Sequence, residues 1–298
     1  MNSMLHHRKA DGALSSRVVV LGGTGFLGRA TMRHLADRGV DMLSLGSADV
    51  DLTQPEAVEQ LRGCLRADDA VVLASAITRE KGRDVETFTK NVSMAVHVAK
   101  ALTTVSCAHL LYLSSDAVYE DATSPIHERT CSNPSDLYGL MHLVRERLLA
   151  TTMSQLDTPL GVLRLAAIYG SGDTHNSYGP NRFLQEVKKG QSITLFGEGE
   201  EQRDHLFVED AARLIVLCLV HRSEGLLNLA TGKGVSFLQV TQTLERLRAV
   251  PTEVVQSPRS TPVTHRYFDV SALHEAFPSF EFTSLDDGLA QMVSATDT

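Results

Sequence analysis

The sequence predicts an α/β fold, a doubly wound parallel sheet with a smaller C-terminal region. Three observations lead there. Short continuous apolar runs recur, as strands buried on both faces require. A glycine-rich turn separates the first run from an amphipathic helix. Strand-like and helix-periodic segments then alternate through the first 120 residues, and that rhythm builds a parallel sheet with helical crossovers.

The first run is Arg17-Val18-Val19-Val20-Leu21. After the glycines, Leu27, Ala30, His34 and Leu35 recur at helical spacing. Met42 to Leu45 makes a second strand, and Thr53-Gln54-Pro55-Glu56 is a capping box that opens a helix through Val58 and Leu61. Ala70 to Leu73 is a third strand. Val85, Phe88, Val92, Ala95, Val96, Ala99 and Leu102 stripe a long helix, and Leu110 to Ser114 is the next strand. Leu137, Leu140, Met141, Val144 and Leu148 form the apolar face of a further helix, followed by a strand from Gly161 to Ala166. Residues 170–180 are rich in glycine and polar residues and form a long loop of the kind that carries function. Leu214 to Val220 and Leu226 to Ala230 return to the core.

Composition narrows the function. The 298 residues suffice for one large domain or two modest ones. No run of eighteen apolar residues exists to span a membrane. A net charge of −8 without a basic stripe excludes a generic nucleic-acid binder. It leaves open a small phosphorylated ligand, since backbone amides hold phosphate without net charge. Cys64, Cys107, Cys131 and Cys218 are scattered and form no CxxC pair, which fits a reducing, cytoplasmic setting. The 12 histidines show no ligand spacing, so no metal site is expected. Residues 1–16 are polar and lack an apolar stretch, as in a disordered tail rather than a signal peptide.

The turn Gly22-Gly23-Thr24-Gly25-Phe26-Leu27-Gly28 has GxxGxxG spacing. The first glycine allows a tight turn, the second lets a pyrophosphate approach the backbone, and the third lets the helix pack on the sheet. Its position between a buried strand and an amphipathic helix points to dinucleotide binding. An acidic residue about 20 positions on usually holds the adenosine ribose. Here Gly46-Ser47 ends the second strand, with Asp49 and Asp51 just beyond and no arginine in the connection. NAD and NADP therefore remain alternatives, and Asp49 is either a ribose ligand or a solvated loop charge.

A second constellation follows the strand near Leu110. Ser114-Ser115-Asp116 lies at its C-terminal end, where ligands bind in open α/β sheets. Tyr138 and His142 are four apart on the next helix and stack one turn above the other. A phenol can serve as the acid–base partner of hydride transfer when a second hydroxyl shares its hydrogen bond. Taken alone, a tyrosine at such a place is more often a helix residue with a wet hydroxyl than a catalyst.

With these motifs the chain resembles the extended short-chain dehydrogenase/reductases, the nucleotide-sugar epimerase/dehydratase family, from about residue 17 to near the C-terminus. The matching pieces are the glycine turn, Asp51-Leu52, Ala74-Ser75-Ala76, Asn91, Ser114 to Tyr119, Tyr138-Gly139 with Glu146, Arg164, Tyr169-Gly170, Leu195 to Gly199, Arg203-Asp204 and Val208-Glu209-Asp210. The resemblance implies a Rossmann domain of residues 17–169 plus about 203–235, and a substrate-binding region of about 170–202 plus 236–298. It implies an NAD(P)-dependent epimerase acting on a nucleotide-linked sugar through a keto intermediate, or a reductase of a keto-sugar nucleotide, as a homodimer. Tyr138 would be the acid–base and Ser115 its hydroxyl partner. Gly22, Thr24, Gly25, Phe26, Leu27, Gly28, Ser47, Asp51, Leu52, Ala74, Ser75, Ala76, Asn91, Tyr138 and His142 would contact the cofactor. Arg203 would grip the substrate diphosphate, and Asn181 would line the nucleotide pocket.

The chain departs from that family at three positions. The YxxxK lysine is replaced by His142, a weaker electrostatic lever because imidazole is largely neutral near pH 7. Either His142 still orients the ribose in a working enzyme with an altered pH dependence, or the protein binds cofactor without turnover. Ala167 stands where many relatives carry asparagine, and Ala117 where dehydratases carry glutamate. Asp116 and His175 lie near positions that shuttle protons in related epimerase-reductases. The alternative is that both are local structural residues.

Overall fold

The chain opens with a two-residue strand, β1 (His6–His7), and then alternates β2 (Arg17–Leu21), α1 (Phe26–Ala36), β3 (Asp41–Leu45), α2 (Ala57–Cys64), β4 (Asp69–Leu73), α3 (Val85–Val105) and β5 (His109–Ser115). After a 3₁₀ turn at Asp116–Val118 come α4 (Leu137–Gln155), β6 (Leu160–Leu165), β7 (Ala167–Tyr169), α5 (Pro180–Lys188), β8 (Ile193–Phe196) and β9 (Gln202–Phe207). The remainder is α6 (Val208–Val220), β10 (Ser223–Leu229), β11 (Gly234–Ser236), α7 (Phe237–Arg248), β12 (Val254–Ser257), α8 (Ser271–Ala276) and α9 (Leu285–Ser294). This is a computed structural model, and it describes residues 4–9, 12, 14–121, 125–173, 175–248, 252–259 and 262–295.

The main sheet has seven strands in the order β1-β10-β6-β5-β4-β2-β3. All neighbours are parallel except β1 against β10. The chain leaves β2 for β3 on one side and returns to β4 on the other. That reversal opens a crevice at the C-terminal ends of β2 and β4, where open α/β sheets bind ligands. Alternation along the strands feeds two cores. Val18, Val20, Val72 and Leu111 face Leu214, Ile215 and Leu219 of α6. Val19, Leu21, Val71 and Leu73 face Leu61 of α2 and Val98 and Leu102 of α3. A separate apolar cluster of Tyr169, Phe183, Leu195, Phe207, Phe237 and Leu289 supports the smaller sheet β11-β9-β7 and the β12-β8 pair.

Three expectations change. Part of the expected tail is ordered: His6 and His7 pair with Glu224 and Ser223, and the Leu5 amide donates to the Leu226 carbonyl at 3.1 Å. The His7 ring is held by Ser223 at 2.9 Å and by the Ala276 carbonyl at 2.9 Å. Backbone and imidazole hydrogen bonds hold the segment while Met4 and Leu5 pack against the core, an apolar pair too short to stand out in hydropathy. Residues 1–3, 10, 11 and 13 of that tail lie outside the described residues. The capping box does not form, because the Thr53 hydroxyl donates to Asp51 at 2.7 Å and the helix starts at Ala57. Helix α4 buries its expected core stripe only in part, with Leu137, Val144 and Leu148 half-buried. Leu140 is 39% exposed, whereas Gly139, Met141, His142, Arg145, Glu146, Leu149 and Met153 are buried. Glu146 faces inward because it is satisfied there, by Arg164 at 2.7 Å and by the Ser114 hydroxyl at 2.6 Å.

Candidate active site

Gly22 leaves β2 with φ +92, and its amide donates to the Leu45 carbonyl at 2.7 Å. Helix α1 then starts without a side-chain cap and without an acidic residue in its first turn. Its free amides and positive dipole end therefore face the crevice. A Cβ on Gly28 would stand 2.1 Å from the Gly22 carbonyl oxygen, so only glycine lets the helix close on the turn. This cradle suits a dinucleotide pyrophosphate. Gly22, Thr24, Gly25, Phe26, Leu27, Gly28, Ser47, Ala74, Ser75 and Ala76 all line one cavity of about 660 Å³.

Three candidate cofactor residues stand behind that wall instead. Asp51 holds the turn by accepting from the Thr53 amide at 3.0 Å, and Leu52 is buried. The Asn91 side chain bonds both the amide and the carbonyl of Ile77, at 2.9 and 3.0 Å, and so orders the loop after β4. Asp49 accepts from the Gly46 amide at 2.8 Å, which makes it a turn residue.

The same cavity is walled by Ser115, Asp116, Tyr138, His142, His175 and Asn181. Tyr138 sits in the first turn of α4, whose cap Asp136 accepts from the Gly139 amide at 2.8 Å. Gly139 packs so tightly that a Cβ would lie 2.0 Å from the Ala117 carbonyl oxygen, and this contact docks Tyr138 beside the end of β5. The Arg79 guanidinium lies 4.9 Å above the Tyr138 ring and pairs with Asp136 at 2.9 Å. Burial pushes the Tyr138 phenol up to about 12, while Arg79 and, more weakly, Arg145 pull it down. Ser115 donates to Asp116 at 3.3 Å and accepts from the Ala117 amide at 3.1 Å. The expected hydrogen bond between Ser115 and Tyr138 is thus not made directly; both residues line the cavity.

His142 is 2% exposed, and its Nδ1 lies 2.6 Å from the Tyr112 hydroxyl. Its Nε2 has no partner, and its ring meets Tyr138 edge-on at 4.8 Å. Burial first, then Arg145 and Arg79, hold the imidazole well below its usual range. His142 is therefore neutral near pH 7.

Asp116 accepts from Arg266 at 2.9 Å, and Arg266 also pairs with Asp121 at 2.8 Å. His175 Nδ1 lies 3.2 Å from the Thr78 hydroxyl. Asn181 accepts from the Gly170 amide at 3.0 Å and donates to Asp173 at 2.8 Å, pinning the loop before α5. Arg203 is not in the cavity wall. Its guanidinium donates to Glu201 and to the Thr264 carbonyl.

The wall also contains Thr78, Arg79, Glu80 and Lys81, none of which sequence reasoning selected. Three consecutive charges on the loop that begins six residues earlier, at the end of β4, were the available signal. Arg145 and Tyr112, which pack behind His142, carried no such mark.

Residues 18–230 match the model of the NAD dependent epimerase/dehydratase family. The chain is 22% identical to the dTDP-4-dehydro-6-deoxyglucose reductase of Escherichia coli, over 95% of this chain and 98% of that protein. Among solved structures it resembles the UDP-glucose 4-epimerase of Thermus thermophilus in complex with NAD, with TM-score 0.83 and 22% identity, covering 93% of this chain and 98% of that one. It also resembles RMD of Pseudomonas aeruginosa in complex with NADPH, with TM-score 0.83 and 24% identity, covering 95% and 98%.

Proposed function

This chain belongs to the NAD dependent epimerase/dehydratase family, and we propose that it is an NAD(P)-dependent epimerase acting on a nucleotide-linked sugar through a transient keto intermediate. One observation carries the reading: Tyr138 and Ser115 share a cavity wall with the uncapped head of α1. A bound nicotinamide would supply the hydride acceptor and, on the return step, the donor. Tyr138 takes the proton of the sugar hydroxyl and later gives it back. Ser115 holds the same oxygen by donating a hydrogen bond, which stabilises charge that develops there. The glycine turn and the α1 amides bind the pyrophosphate. Ser47 is the wall residue at the end of β3, and the Asp49 carboxylate is turned into the backbone, so NAD and NADP both suit the adenosine end. Asp116 is tied to Arg266, which disfavours a proton shuttle through it.

A second reading is a net reductase of a keto-sugar nucleotide, favoured by the reductase named above among the relatives. Sugar nucleotides supplied with substoichiometric cofactor separate the two, because an epimerase regenerates its cofactor and a reductase stops when it is spent. Tyr138→Phe should lower turnover by roughly 10²–10⁴-fold, the usual worth of a positioned acid–base, while cofactor affinity stays in place. Unchanged turnover with the true substrate overturns the assignment.

The quaternary proposal is a homodimer formed through α3 and α4. These helices pack side by side, and the outward face of α4 presents Leu140, Leu143, Val144 and Leu148 as one apolar surface. A cytoplasmic setting accords with the four cysteines being free.

A further inference from the structure

The position four residues after Tyr138 holds a neutral imidazole, so a tyrosine that must give up its proton needs its charge partner elsewhere. We propose that two side chains divide this work: His142 is the hydrogen-bond donor to the cofactor's nicotinamide ribose, and Arg145 is the fixed cation that stabilises the Tyr138 phenolate. The inference deepens the function proposed above and rests on Tyr138 being its acid–base.

The donor half follows from one hydrogen bond. Tyr112 is fully buried, and its hydroxyl lies 2.6 Å from His142 Nδ1. In this assignment the buried, neutral Tyr112 hydroxyl donates to Nδ1. A neutral imidazole accepting at Nδ1 carries its own proton on Nε2. That Nε2 is buried without a protein partner, and the residue lines the cavity beside Tyr138.

The charge half follows from the surroundings of each cation. Tyr138, His142 and Arg145 stand at i, i+4 and i+7 on one face of α4, about 10 Å along its axis from first to last. Arg145 is 0% exposed. It donates to the Ser75 carbonyl at 2.8 Å, its Cζ lies 4.9 Å from the Tyr112 ring centre, and its Nε and Nη1 have no partner. No carboxylate lies within 4.0 Å of it among the described residues. Arg79, on the loop after β4, is closer to the phenol, but it is 39% exposed and paired with Asp136 at the head of α4, so solvent and the carboxylate offset its field. The opposing charges are Glu80 on the same loop and Asp116 beyond β5, and Arg266 compensates Asp116. Arg145 is the buried, uncompensated charge of the set.

The test uses the full-length protein with a fluorinated tyrosine at 138, titrated by fluorine NMR, together with direct cofactor-binding measurements. Removing a cation favours the neutral phenol. Coulomb's law at ~10 Å and an effective dielectric of ~20 puts the effect near one pH unit. Arg145→Met should therefore raise the Tyr138 midpoint by about one pH unit, while Arg145→Lys holds it close to that of the parent. His142→Ala should weaken cofactor binding by about tenfold, as loss of one buried hydrogen bond does, and move the midpoint less than Arg145→Met does. The double variant His142→Lys/Arg145→Met returns the charge to one side chain and should restore the midpoint. An unmoved midpoint in Arg145→Met, or an equal shift in Arg145→Lys, overturns the charge role. Unchanged cofactor affinity in His142→Ala overturns the donor role. If Arg145→Met does not fold, Arg145→Gln and the double variant are read in its place. Neither readout uses a sugar substrate, so a failed search for turnover leaves both interpretable.

Discussion

Gly28 and Gly139 both press against a carbonyl oxygen, Gly22's in one case and Ala117's in the other, and a methyl group at either place would stand near 2 Å from it. Gly28→Ala should cost about 1–3 kcal/mol of stability, as overpacking does, and remove most cofactor affinity, measurable by denaturant titration and calorimetry. Gly139→Ala should instead lower kcat by displacing Tyr138 from Ser115 while the pyrophosphate cradle still binds. Glu146 takes two hydrogen bonds from Arg164, at 2.9 and 2.7 Å, in the interior. Cutting such a buried pair with Glu146→Ala should cost about 3–5 kcal/mol, seen as a lower urea midpoint. The glycines were legible in the sequence because their spacing follows a five-residue apolar run. The Glu146 pair and Arg145 were not, because Arg145-Glu146-Arg147 on a helix looks like a solvated face and Arg164 lies on a strand 18 positions away.

Helix α4 shows the same ambiguity at the scale of an element. Its periodicity announces two faces, yet the face with Arg145 and Glu146 is the buried one and the face with Leu140, Val144 and Leu148 is half-buried or exposed. Hydropathy ranks such faces wrongly when interior charges find partners among distant residues. If the leucine face is the dimer contact proposed above, Leu140→Glu combined with Leu148→Glu should halve the particle mass in light scattering and leave the circular dichroism spectrum intact. Leu149→Ala, one position on but fully buried, should cost about 2–5 kcal/mol without changing the mass.

For the molecule as a whole, the parallel sheet and its helical crossovers were legible from alternation alone, whereas strand order and the pairing of β1 depend on contacts between residues far apart in sequence. Global stability should carry the mark of buried histidines. Burial lowers His109 to about 4, and burial with Arg203 lowers His205 to about 3. Such groups bind protons more readily when unfolded, so their stabilisation is complete above about pH 6.5 and is lost as pH falls toward the folded values. The loss is about 2 kcal/mol for each between pH 7 and 5. Asp204, pushed up to about 6 by burial, works in the opposite sense and offsets part of it. The urea midpoint should therefore drop across this interval, and His205→Gln should flatten the slope; a midpoint constant from pH 7 to 5 contradicts this account.

The short antiparallel strand β1 occupies the outer side of β10. Without it, a row of backbone amides and carbonyls would be open to any extended segment passing by, and an unpaired sheet margin is a template for self-association. Residues 4–9 cover that margin of β10. A chain truncated at residue 10 should turn cloudy on standing while its dilute, freshly prepared solution still melts near the parent temperature.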